Sequence, residues 1–174
     1  MALMQRTYSW CLFISMVLAI LLLLAACGES GCYENRSSIP RAAFYAYNMP
    51  ESTIAVDSIE VYGVGHPTDS LLVAAASGKS SLYLPFRSDA DTTRYVIHYA
   101  AQALADTANN DTLTFAYNRF PYFISEDCGV VFNYTITRFE YTRHMLDSAA
   151  LVTPEVTNED TETIQLFYYV AIEE

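Results

Sequence analysis

Beyond residue 38 the chain alternates apolar and polar side chains with a period of two, stretch after stretch. In residues 57–65, Ile59, Val61 and Gly63 take turns with Ser58, Glu60 and Tyr62. Leu82, Leu84 and Phe86 share one side of residues 81–86, and Tyr95, Ile97 and Tyr99 share one side of residues 93–99. In residues 111–120, Leu113, Phe115 and Tyr117 oppose Thr112, Thr114 and Asn118. In residues 130–141, Val130, Phe132, Tyr134 and Ile136 oppose Asn133, Thr135 and Thr137, and Ile164, Leu166, Tyr168 and Val170 close the series. Successive side chains of an extended strand point to opposite faces, so this pattern predicts strands with one face buried; their wealth of Thr, Tyr, Val and Phe fits that state.

Clusters of turn-forming residues separate these runs at 63–67, 77–79, 87–91, 109–111 and 158–160. The alanine-rich residues 98–108 are the best candidate for a helix, or else extend the strand before them. About seven strands with spaced turns, and no strand–helix–strand rhythm, predict an all-β domain. The expected architecture is an antiparallel β-sandwich, Greek-key and immunoglobulin-like in the broad sense, with an open β-barrel as the alternative. Pro85 and Pro121 fall inside apolar runs, which places edge strands or bulges there.

The first 26 residues break the pattern. Arg6 and the terminal amine precede a run, 10–26, in which every residue except Ser15 is apolar or cysteine. A short cationic region, an apolar core and small residues at its end describe a secretory signal. That run also reaches the lower bound for a membrane-spanning helix, about 17 residues, so its end decides between them. Leu24-Ala25-Ala26-Cys27 resembles the bacterial lipobox, in which small side chains admit the peptidase before a cysteine whose sulfur carries diacylglycerol. A plain membrane anchor or ordinary secretion is the alternative. The expected organisation is a lipoprotein signal peptide over 1–26, a lipidated Cys27 and tether over 27–38, and a single β-sandwich domain over 39–174. Two or more acyl chains hold a protein stably where one holds it marginally. Gly28 rather than aspartate follows Cys27, which favours the outer membrane of a bacterial envelope, on its periplasmic face or at the cell surface.

The 174 residues, 52% hydrophobic and 14% aromatic, suffice for one core and exclude a disordered chain. A formal net charge of -11, a single lysine (Lys79) and scattered arginines exclude the clustered cationic surface that nucleic acid requires. Of the four cysteines, Cys11 leaves with the leader and Cys27 takes the lipid, so Cys32 and Cys128 remain as an even pair in an oxidising compartment. A disulfide between them would close a loop of roughly 97 residues, worth on the order of 4–5 kcal/mol in the chain-entropy model. Two unpaired buried thiols are the plain alternative. A reactive Cys128 is the sharper one, although the neighbouring Glu126 and Asp127 carboxylates work against a thiolate.

Three segments, Cys32-Tyr33-Glu34-Asn35-Arg36, Asp111-Thr112-Leu113-Thr114-Phe115 and residues 125–134 around Cys128, give the mature chain a combined pattern. It resembles a family of small uncharacterised lipoproteins from Bacteroides-type bacteria, a domain of unknown function. The resemblance implies pairing of Cys32 with Cys128 and an envelope location, and it brings no activity, cofactor or catalytic residue.

Candidate sites are few. His66, His98 and His144 lie in separate segments without ligand spacing, and zinc chemistry needs about three convergent ligands. The acidic stretches at 89–91 and 106–111 lack the alternating spacing of a calcium loop. There is no nucleophile elbow and no glycine-rich phosphate loop. Neither a metal nor a cofactor is expected. Aromatic residues are the richest feature, with 14 Tyr and 9 Phe. Tyr45, Tyr47, Tyr62 and Tyr122 fall on less clearly buried positions and are the candidate binding aromatics, since tyrosine has an apolar body and a polar tip. The expected function is that of a membrane-anchored, non-enzymatic binding or scaffold module with an envelope protein or glycan partner. A glycan-binding module using those tyrosines is one alternative, and a hydrolase with a carboxylate pair is the other.

Overall fold

The computed structural model describes residues 37–65 and 71–171, together with Met16, Cys32 and Asn35. The expected leader, Cys27 and His66 lie outside the described residues. Backbone packing divides the chain between Tyr33 and Glu34, and the fold that follows is that of the unit Glu34–Glu174. Its strands are β1 (Arg41–Ala46), β2 (Met49–Thr53), β3 (Ile59–Gly63), β4 (Leu71–Ala76), β5 (Ser81–Tyr83) and β6 (Thr92–Tyr99). They continue with β7 (Asp111–Ser125), β8 (Gly129–Tyr141), β9 (Ser148–Leu151), β10 (Glu155–Val156) and β11 (Glu162–Tyr168).

These strands form a β-sandwich. One sheet runs β2-β1-β11-β9, with β5 also paired to β1; the other runs β10-β8-β7-β6-β3-β4. β11 occupies one edge of β1 along its whole length, so β5 at residues 41–43 and β2 at 45–46 share the opposite edge. The chain changes sheet six times, after β2, β4, β5, β8, β9 and β10. Pairing among the described strands is antiparallel except between β1 and β11, a parallel pair in a sandwich expected to be antiparallel. The first and last strands run the same way because they belong to different passes of the chain through the core.

Alternation located the inner faces. Ile59 and Val61, Tyr95, Ile97 and Tyr99, Leu113, Phe115 and Tyr117, and Leu82 and Leu84 all join one buried cluster with Ile164 and Leu166. Phe86 leaves β5 with the chain and becomes the hub of an aromatic group. Its ring stacks on Tyr117 at 4.2 Å, meets Tyr134 edge-on at 5.4 Å and lies 5.3 Å from Phe115. Such pairs add roughly 0.5–1.5 kcal/mol each beyond the area they bury.

β1, β2, β4, β9 and β10 carry no clean alternation. β1 (Arg-Ala-Ala-Phe-Tyr-Ala) is strand because both its edges are paired, with Ala42, Phe44 and Ala46 fully buried opposite Ile164, Leu166 and Tyr168. Residues 98–108 form neither a helix nor an extension of β6 beyond Tyr99. A turn closes with Leu104 N–H on the Ala101 carbonyl, and a single 3₁₀ turn, Thr107–Asn109, is capped by the Asp106 carboxylate accepting from Ala108 N–H at 2.9 Å. Alanine without an apolar stripe gives a helix nothing to bury, and a short isolated helix is marginal.

Candidate functional site

β7 and β8 are the longest strands, and they outrun their neighbours. β6 pairs with β7 only as far as Ala116, and β10 reaches β8 only at Tyr134 and Thr135. Beyond Tyr117 and, towards the turn, beyond Tyr134, the two strands have only each other as sheet neighbours among the described residues. Pro121 sits in this stretch, where β7 has a free edge and no ladder partner on that side to lose. At the turn, Gly129 takes φ +74°, a left-handed conformation that glycine adopts without strain, and Cys128 N–H donates to Ser125 Oγ at 3.2 Å.

Directly opposed residues of an antiparallel pair share a face. Pro121 lies opposite Phe132 and Phe123 opposite Val130 on one face; Phe120 lies opposite Asn133 and Tyr122 opposite Val131 on the other. Alternation assigned Val130 and Phe132 to the buried side with Tyr134 and Ile136. They are instead exposed, Val130 at 58% and Phe132 at 43%, as is Phe123 at 59%. The face is continuous with the core face, but the opposite sheet ends before it does. Asn133, assigned to the polar side, is buried, and its Oδ1 accepts from Ser38 Oγ at 2.7 Å. At the base of the exposed face an open groove of about 330 Å³ is lined by Ile39, Phe86, Val130, Phe132 and Tyr134 among others.

The four candidate tyrosines do not gather into one surface. The half-buried Tyr45 lies in β1, its hydroxyl donating to Glu162 at 3.0 Å and its ring 5.7 Å from Phe167. Burial first, then the Glu162 carboxylate, raises its pKa above the phenolic norm. Tyr47 is exposed in the β1–β2 turn, Tyr62 lies in β3 opposite Val96, and Tyr122 lies on the hairpin. Among the described residues no ring contact joins any two of them. Phe120, Phe123, Val130 and Phe132 escaped the sequence reading because alternation gives a side chain's face and not how far the core extends beneath it.

Among the described carboxylates, Asp111 is the buried one. Its Oδ1 accepts from Thr142 Oγ1 at 3.0 Å and His144 N–H at 2.8 Å. Its Oδ2 accepts from Tyr99 Oη at 2.9 Å, Met145 N–H at 3.0 Å and Leu146 N–H at 2.8 Å. Five donors saturate a carboxylate that offers about four lone-pair positions. This arrangement fixes the loop between β8 and β9 and leaves no oxygen for a substrate. His98 Nδ1 pairs with Asn110 Oδ1 at 2.8 Å, and His144 meets Asp111 through its backbone alone. Among the described residues no three His, Cys, Asp or Glu converge on one point. Cys32 and Cys128 are each disulfide-bonded.

No curated protein and no solved structure matches the chain. The profile of DUF6452, a family of unknown function, matches residues 58–168, from β3 to the end of β11, and the chain belongs to that family.

Proposed function

We propose that the protein is a lipoprotein of a bacterial outer membrane, anchored through Cys27, with Cys32 bonded to Cys128 and a non-enzymatic β-sandwich that binds or scaffolds another envelope component. The observation that supports this reading is the disulfide-bonded state of Cys32 and Cys128, which fits an oxidising compartment, in a chain whose apolar run 10–26 ends Leu-Ala-Ala before Cys27. Once the leader is removed and the Cys27 sulfur is acylated, these two are the cysteines left to pair. Among the described residues Asp111 is saturated and His98 and His144 stand apart, which fits a non-enzymatic reading. Its mechanism is positional: acyl chains hold the protein at the membrane, a short tether sets its reach, and the sandwich presents a surface.

The test is metabolic labelling with an alkynyl fatty acid in a lipoprotein-processing bacterium. Label enters the wild type, the signal peptide is lost, and Cys27→Ala takes up none. An unlabelled wild type, or a mature protein that retains its leader, overturns the reading.

A further inference from the structure

We infer that the face of the β7–β8 hairpin bearing Phe123, Val130 and Phe132 rests on a zwitterionic phospholipid surface beside the acyl anchor; this rests on the lipid-anchor reading above. Three observations carry it. The first is composition: from Phe120 to Asn133 the only charged side chains are Glu126 and Asp127 at the turn, in a chain of net charge -11. Phe123 and Val130, each more than half exposed, stand side by side with Pro121 and Phe132 on the same face. A solvated hairpin of so acidic a protein would not keep such a face bare. The second is covalent. Cys128 lies in the hairpin turn, and only four residues stand between Cys27 and Cys32, the proposed disulfide partner of Cys128, a span of at most about 18 Å when fully extended. The exposed face therefore lies near the membrane whenever the anchor is inserted.

The third is the choice of occupant. Pro121 removes an N–H from the free edge of β7, which weakens the strand-to-strand pairing a second copy would use. On the opposite face Val131 and Asn133 are buried while Phe120 and Tyr122 stay partly exposed, so the face laid on the lipid is the one carrying the most exposed side chains, Phe123 and Val130. Aromatic rings favour the boundary between headgroups and acyl chains. Glu126 and Asp127 then stay among the headgroups, and their charge selects against anionic lipid.

The experiment uses the full chain, processed and acylated in a bacterial host and reconstituted into phosphatidylcholine vesicles with or without brominated acyl chains. The one tryptophan, Trp10, departs with the leader, so Phe123→Trp and Val130→Trp each provide a single reporter on an exposed position. Tyr47→Trp, in the exposed turn at the far end of β1, is the control. Expected is quenching by brominated lipid at least about twofold stronger at the two hairpin positions than at the control, weakened when anionic lipid is added. Equal quenching at all three positions overturns the inference. So does an emission shift that follows protein concentration and ignores bromine, which would assign the face to a second copy. The mass of the vesicle-bound protein separates the two readings. Acylated Cys27 with unquenched hairpin reporters sinks this inference alone, whereas an unmodified Cys27 sinks the anchor reading beneath it.

Discussion

Replacing Asp111 by alanine removes the acceptor of five hydrogen bonds at a buried position between β7, Tyr99 and the loop that leads to β9. Three of the donors are backbone N–H groups of consecutive residues, His144, Met145 and Leu146. Hydrogen bonds to a charged acceptor contribute about 1.5–3 kcal/mol each, while desolvating the carboxylate costs several kcal/mol in the opposite direction. The net loss is about 3–5 kcal/mol, because three buried backbone donors left unsatisfied cost roughly 1–3 kcal/mol each and the carboxylate's desolvation, no longer incurred, offsets part of that. That is a large share of the roughly 5–15 kcal/mol of an ordinary domain.

Asparagine discriminates this account from a generic cavity effect. Its amide can turn so that the oxygen keeps Tyr99, Met145 and Leu146 while the NH2 meets Thr142, whose hydroxyl rotates to accept. His144 N–H then loses its acceptor and the Thr142 hydroxyl proton must turn elsewhere, for about 1–3 kcal/mol. Urea titrations followed by circular dichroism read both numbers. With a slope near 2 kcal/mol per molar, Asp111→Ala lowers the midpoint by about 2 M and Asp111→Asn by about half that. Losses under about 1 kcal/mol for both, or an asparagine as costly as the alanine, would refute the account.

Phe86→Ala removes the ring that meets Tyr117, Phe115 and Tyr134, and the expected loss is about 3–5 kcal/mol in the same titration; a loss below about 1 kcal/mol would mean that the aromatic group collapses onto the cavity. A second expectation concerns alkaline pH. Burial raises the hydroxyls of Tyr95, Tyr99 and Tyr168 well above their ordinary value of 10.0. Below about pH 10 these groups are protonated in folded and unfolded chains alike, so they make stability independent of pH; above it the unfolded chain loses protons that the folded one keeps, and stability falls as pH rises. Absorbance at 295 nm, clean in a chain starting at Cys27 because the one tryptophan is Trp10, should show exposed tyrosines titrating first and the buried ones only with the loss of circular dichroism. Ionisation of all tyrosines near pH 10 with the fold intact would contradict the burial.

The inner faces were legible because each predicted strand buries one side against a core broader than the strand, and period two is then written into the sequence. Leu113, Phe115 and Tyr117 are such a case. The logic fails where the core stops, and Val130 and Phe132 continue the same periodicity into solvent. It fails also where a strand is defined by its neighbours: the alanines of β1 favour no strand, and β2 is exposed throughout. Asp111 read as one carboxylate in an acidic stretch, since its donors come from residues 142–146 and from Tyr99, and no local pattern announces so remote a set.

The parallel pairing of β1 with β11 bears on where the folding unit begins. The family match covers residues 58–168 and so omits β1 and β2. Without β1, β11 would keep only the four-residue β9 as a partner, and the inner positions Ile164, Leu166 and Tyr168 would lose Ala42, Phe44 and Ala46 beside them. A central strand stripped of one neighbour exposes a full ladder edge, the situation that invites aggregation. The anchoring of residues 37–40 points the same way: Leu84 N–H bonds the Pro40 carbonyl and Ser38 bonds Asn133. The five-stranded sheet is therefore built around residues upstream of the matched segment. A fragment starting at β3 would carry the six-stranded sheet with two of the five strands of its covering layer missing.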